Sequence, residues 1–181
     1  MSVLGLIALI SGVLGVWLTI HQSVWCWSMA LLSVVCSGID FYESRLFGDL
    51  GLQVIYFAQG VFGWWVWHAR REQAFPSSHM PRRWWPFIFL ILGLLWLGMF
   101  YLLVYLKGNR AGLDALLTAG SLVTTFMMIR KWAENWLLWV LIDGTYILLY
   151  TLTNLWSYAL LYAVYTVMAW YGWTQWRKIR S

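Results

Sequence analysis

The sequence predicts an all-α, polytopic membrane protein with seven transmembrane helices, on three observations. Of 181 residues, 62% are hydrophobic and 10% charged, with a mean hydropathy of +0.68, a balance outside the range of water-soluble domains. Apolar windows of the roughly 20 residues needed to cross a bilayer recur seven times along the chain. The connections between them are short and polar, so no soluble domain fits among them.

The first window, Val3 to Ile20, follows Met1 directly, without a basic leader or a small-residue cleavage site, and reads as a retained helix instead of a signal peptide. The second, Val24 to Tyr42, comes after His21-Gln22-Ser23. It carries both cysteines, Cys26 and Cys36, without the CxxC spacing of a metal site. The third runs from Leu50 to Trp67. A longer connection with prolines, His68 to Arg83, leads to the fourth, Trp84 to Leu106. The fifth and sixth are Leu113 to Ile129 and Trp136 to Leu152. Only Thr153-Asn154 separates the sixth from the seventh, Leu155 to Trp173.

Seven crossings put the termini on opposite sides, and the basic residues choose between the two orientations. Arg70, Arg71, Arg82, Arg83, Arg130, Lys131, Arg177, Lys178 and Arg180 share the side of the C-terminus, while Arg45, Lys107 and Arg110 lie on the other. Nine against three predicts a cytoplasmic C-terminus and an external N-terminus. These charges sit between apolar runs or at the C-terminus, so the net +5 marks topology and not a nucleic-acid surface. Sixteen Trp, ten Tyr and nine Phe exceed what two interfacial belts require, so some rings must serve the interior.

An offset of 106 aligns the third window with the seventh and pairs Tyr56 with Tyr162, Trp64 with Trp170, Trp67 with Trp173 and Arg71 with Arg177. It suggests one transmembrane domain over 1–181, built from repeat one (1–70), a linker helix (84–106) and repeat two (113–176). This 3+1+3 arrangement of parallel repeats is that of SWEET-type transporters, which bind cargo near mid-membrane between repeats. An unrelated seven-helix bundle, such as a receptor, is the other architecture open to these residues, although no signalling domain or large loop accompanies it.

At 100° per residue, Trp136, Trp139, Asp143, Tyr146 and Tyr150 fall within about 80° of one another on the sixth window. An ionised carboxylate facing lipid costs several kcal/mol, which turns Asp143 and its neighbours toward the interior. Trp136 and Trp139 also stand where interfacial anchors would. Asp114, Thr118, Ser121 and Thr125 form a polar ridge on the fifth window, suited either to cargo contact or to helix–helix adhesion. On the third, Gln53, Tyr56, Gly60, Gly63 and Trp67 share a face flanked by Gln59 and Trp64. Gly60, Gly63 and Gly144 are expected to permit close helix approach during transport. Ser33, Ser37 and Asp40 line up on the second window, with Asp40 near the outer end. No Lys or Arg lies deep in any window. A cavity walled by Trp and Tyr, with one carboxylate, Gln and hydroxyls, therefore suits a flat aromatic cation bearing hydroxyl groups.

The segments Gly51 to Trp67, Asp114 to Ser121 and above all Arg130 to Asp143 resemble the PnuC family of bacterial vitamin transporters over nearly the whole chain. The last segment holds the WxxWxxx(N/D) signature of nicotinamide riboside carriers as Trp136, Trp139 and Asp143. The resemblance implies a SWEET-related 3+1+3 bundle, often a homotrimer. It implies facilitated diffusion of nicotinamide riboside, trapped by a cytoplasmic kinase, with thiamine or riboflavin as alternative cargo. It also implies that Trp136 and Trp139 stack on the pyridinium ring, that Asp143 contacts the ribose or the positive ring, and that Gln53 binds the ribose or carboxamide. Gln59, Trp64, Tyr146 and Tyr150 join this cargo site by helix geometry, with Ser121 and Thr125 from the polar ridge. No cofactor and no metal are expected. An intramembrane enzyme is the competing class. His21, His68 and His79 lie in connections, and Asp40, Asp114 and Asp143 stand on separate helices without ligand spacing, so the acid–base pairs that catalysis needs are not formed by sequence.

Overall fold

The computed structural model describes residues 2–45, 47–71, 76–106 and 111–178. Lys107, Arg110 and Arg180, three of the charges used to orient the chain, lie outside them. Seven α-helices are formed: α1 (Val3–Ile20), α2 (Trp25–Glu43), α3 (Phe47–Ala69), α4 (Trp85–Tyr105), α5 (Ala111–Ile129), α6 (Asn135–Leu152) and α7 (Trp156–Trp176), with a 3-10 turn, Arg82–Trp84, before α4. Among the described residues there is no β-strand, only an isolated bridge between Ser78 and Trp132. Each expected window has its helix. The stretches containing α1, α2, α4, α5 and α6 are long and apolar enough to cross a membrane. Helices α3 and α7 have comparable length, 23 and 21 residues, but Gly, Gln, Tyr and Trp dilute their apolar character.

The chain divides into two compact units, Met1–Pro76 and Ser77–Ser181. In the first, α2 packs against both α1 and α3. Gly15 brings α1 close to α2: a Cβ there would rest 3.5 Å from the Cys26 carbonyl oxygen. The Ser33 hydroxyl donates to the Ala8 carbonyl (2.8 Å) and that of Ser2 to the Asp40 carboxylate (2.8 Å). Ser33 and Asp40 thus belong to the seam between α1 and α2. On the opposite side of α2, Leu31 covers Gly60 and the Trp27 ring fills the notch at Gly63. The same ring meets Trp67 edge-on, at 5.5 Å and 89°. Gly60 and Gly63 are therefore filled packing notches in this conformation, and Gly144 has nothing within 4 Å of where its Cβ would be. The close approach expected of these three glycines is confined to the first two.

In the second unit the helices pack in sequence, α4 on α5, α5 on α6 and α6 on α7. Met80, Ile88, Val123, Met127 and Trp132 form a core flanked by Trp84, Trp85 and Leu138. The segment ahead of α4 is tied to the α5–α6 connection. Ser78 N–H donates to the Lys131 carbonyl (3.0 Å) and Ala133 N–H to the Ser78 carbonyl (2.8 Å). The Glu134 carboxylate accepts from Met80 N–H and pairs with His79, each at 2.9 Å. Arg130 lies over Trp84 and Trp132, 5.8 and 5.5 Å from the ring centroids. These ties fix where α6 begins.

Among the described residues, four that are not glycine adopt left-handed backbone: Gln22 (φ 55°), Arg45 (58°), Lys131 (55°) and Asn154 (57°). Such conformations cost about 1–2 kcal/mol each, yet they come in two pairs, each separated by 109 positions. Trp27 and Trp136, Gly63 and Gly172, and Trp67 and Trp176 keep the same separation, and Trp136 meets Trp176 at 5.4 Å and 89° as Trp27 meets Trp67. The local geometry repeats at 109, not at the 106 suggested by aromatic matches, so Trp67 corresponds to Trp176 and not to Trp173.

Candidate substrate-binding site

Asp143 sits on α6 almost two turns after Trp136 and is 6% exposed. Among the described residues its carboxyl group accepts no hydrogen bond and forms no ion pair. Buried carboxyl groups are normally satisfied by donors or counter-charges, which makes Asp143 a candidate site residue. Tyr162 and Tyr165 of α7 are near enough to interact with it electrostatically. One turn before it, Trp139 is half-buried, and its ring stacks on no other ring among the described residues.

Beyond Asp143 the α6–α7 interface becomes a run of phenols. Tyr146 lies against Tyr150 (5.9 Å, 16°) and against Tyr162 (4.6 Å, 30°), Tyr150 against Tyr158 (5.2 Å, 27°), and Tyr162 against Tyr165 edge-on (6.1 Å, 77°). Tyr146 and Tyr150 therefore keep company with Asp143, as their spacing on α6 requires. Tyr158, Tyr162 and Tyr165 were not singled out as site residues. Their spacing of four and three puts them on one face of α7, a signal as clear as the one on α6.

The other expected site residues are distributed less evenly. Trp136 is 2% exposed and wedged between α6 and α7, where a Cβ on Gly172 would come within 2.6 Å of its ring carbons Cδ2 and Cε2. Its faces are occupied by protein. Ser121 and Thr125 are buried on α5, and the Thr125 hydroxyl donates to the Ser121 carbonyl at 2.9 Å, satisfying its own helix. Gln53, Gln59 and Trp64 are on α3 of the first unit. Gln53 lines a cleft of about 350 Å³ between α2 and α3, alongside Val34, Gly38, Tyr42 and Phe57. Gln59 is half-buried. Trp64 is 41% exposed, its ring stacked on His68 at 5.2 Å and 11°. Among the described residues no group of three or more His, Cys, Asp or Glu is placed to hold a metal ion.

The profile of a family described as "Nicotinamide mononucleotide transporter" matches residues 2–178. The chain belongs to this family. It is similar to the nicotinamide riboside transporter PnuC of Escherichia coli K12, with 25% identity over 92% of this chain and 82% of that one. To PnuC of Haemophilus influenzae it is 22% identical, over 96% and 80% of the two chains. A crystal structure of the vitamin B3 transporter PnuC shares the fold: the TM-score is 0.77 at 19% identity, covering 97% of this chain and 80% of that one. The PnuC resemblance and the all-helical membrane architecture drawn from sequence both hold. In this transporter family, the buried acid and the open indole are the chemistry to be accounted for.

Proposed function

We propose that this protein carries nicotinamide riboside across the bacterial inner membrane and holds it at Asp143 and Trp139. The observation that carries this reading is a buried carboxyl group with no hydrogen bond or ion pair among the described residues, one helical turn from an indole that stacks on no ring among them. A pyridinium riboside supplies what both lack. Its ring is flat and positively charged, so it attracts an indole face, worth about 0.5–2 kcal/mol, while the charge and the ribose hydroxyls suit a carboxylate. Tyr146 and Tyr162 extend the aromatic wall. For Gln53, on α3 of the first unit, a role toward ribose or carboxamide rests on the resemblance alone.

Charge favours the riboside over its phosphorylated form. None of the seven helices contains a Lys or Arg, and a phosphate buried beside Asp143 would lack a counter-charge. The relatives named above as nicotinamide riboside transporters favour it over thiamine, which is also cationic, and over uncharged riboflavin. Two three-helix repeats, one before and one after α4 in the sequence, with the N-terminus outside and the C-terminus in the cytoplasm, complete the reading. Transport is facilitated diffusion, and a cytoplasmic kinase retains the product.

Calorimetric titration of the purified protein with nicotinamide riboside, nicotinamide mononucleotide, thiamine and riboflavin tests the cargo. Micromolar binding of the riboside, at least tenfold tighter than the mononucleotide, is expected; tighter mononucleotide binding would sink the charge argument. In liposomes, uptake should be indifferent to a pH gradient of either sign and should exceed equilibration only when kinase and ATP are enclosed.

A further inference from the structure

We infer that Trp136, the first tryptophan of the signature, is a positioning residue: it locks the rotation of α6 against α7 and thereby aims Asp143 and Trp139, without stacking on cargo itself. The inference rests on the reading that those two residues bind the cargo.

The lock has three parts. The Trp136 ring occupies a notch that exists because residue 172 has no side chain, and Trp176, perpendicular to it, packs against the same ring. An indole so enclosed cannot change rotamer without separating the helices, so the helical line through Trp136 is held facing α7. Asp143 lies seven residues further on, about 10 Å along the axis and only about 20° away around it. Whatever fixes the bearing of Trp136 therefore fixes that of Asp143. A slip of about 20° at a side-chain radius of about 5–6 Å would move the carboxyl by about 2 Å, enough to lose a hydrogen bond.

The first unit isolates this role from cargo binding. Trp27, Gly63 and Trp67 form a similar set, although the distal edge of the Trp27 ring faces its glycine, a Cβ at Gly63 falling 2.6 Å from Cζ3, where Trp136 presents its ring junction. Trp27 begins no WxxWxxx(N/D) sequence, and the position matching Asp143 is Val34. A tryptophan seated in a glycine notch thus exists where the signature does not. Both indole N–H groups are enclosed without an acceptor among the described residues, so the lone N–H of Trp136 is a property of the lock and not a mark of cargo.

The test compares Trp136→Phe, Trp139→Phe, Gly172→Ala and the double variant Trp136→Phe/Gly172→Ala, by riboside calorimetry and by thermal melting of monodisperse protein. Gly172→Ala should weaken binding about tenfold although no expected cargo residue is altered. Trp136→Phe, whose single ring withdraws the fused edge from the notch, should cost less than threefold and should restore the double variant to within threefold of itself. Trp139→Phe should cost about tenfold. A loss in Trp136→Phe equal to that in Trp139→Phe, with Gly172→Ala binding normally, overturns the inference and makes Trp136 a cargo contact. If Gly172→Ala does not fold, the double variant decides: folded and binding supports the lock, folded and not binding overturns it. Unchanged affinity in both Asp143→Ala and Trp139→Phe would instead overturn the cargo reading. The packing part of the lock would then be judged by melting alone, with recovery in the double variant supporting it and no recovery overturning it.

Discussion

The three-helix set α1–α3 and the set α5–α7 carry the same framework and different chemistry. Both have a left-handed residue before the central helix and another after it, and a tryptophan of that helix seated in a glycine notch of the next. At matched positions, however, the first set has Val34 and Gln53 where the second has Asp143 and Tyr162. In the first set this pair lines an almost wholly apolar cleft; in the second it faces a buried acid toward phenols. Framework and function are thus separable. What recurs holds helices together, and what differs is where cargo recognition should be sought.

The largest break in this comparison should come from removing the acid. Asp143→Ala is expected to weaken riboside binding ten- to a hundredfold, about 1.4–2.7 kcal/mol, whereas Val34→Ala should change it less than twofold; calorimetry on both variants measures the contrast. Next come the notches. Gly63→Ala and Gly172→Ala should each cost about 1–3 kcal/mol of stability through overpacking, visible as similar drops in melting midpoint, and a drop in only one would break the equivalence of the two sets. Trp139→Ala should reduce affinity about tenfold, about 1.4 kcal/mol, with melting nearly unchanged because its ring supports no other ring. The smallest effects concern the left-handed turns. Gln22→Gly should raise stability by up to about 1 kcal/mol in denaturant titrations, and Asn154→Gly by a few tenths, since asparagine already tolerates that conformation.

Much of the fold was legible because helix periodicity and span length are local properties. The seven windows fell within a few residues of the helices, and the face shared by Asp143, Tyr146 and Tyr150 follows from spacing on a single helix. The burial of Trp136 was not legible, because it depends on Gly172, thirty-six residues away on another helix. The recurrence of local geometry at 109 was illegible for a related reason. Aromatic-rich helix ends match readily by letter at 106, while the positions that share a left-handed backbone pair unlike letters, Gln22 with Lys131 and Arg45 with Asn154. Tyr158, Tyr162 and Tyr165 have a readable spacing on α7, but their proximity to Asp143 and its tyrosines depends on the pairing of α6 with α7, which spacing on one helix does not contain.

The paired left-handed turns also act as a ruler. From Gln22 to Arg45 and from Lys131 to Asn154 the chain counts twenty-three positions in each case, and from Gln22 to Trp67 and from Lys131 to Trp176 it counts forty-five. One residue inserted into a helix shifts everything beyond it by about 1.5 Å and turns it by about 100°. A single insertion within either measured stretch would swing a ring off its seat. Between these marks, substitutions away from the tryptophan seats and the candidate site leave the spacing intact, while an inserted residue does not.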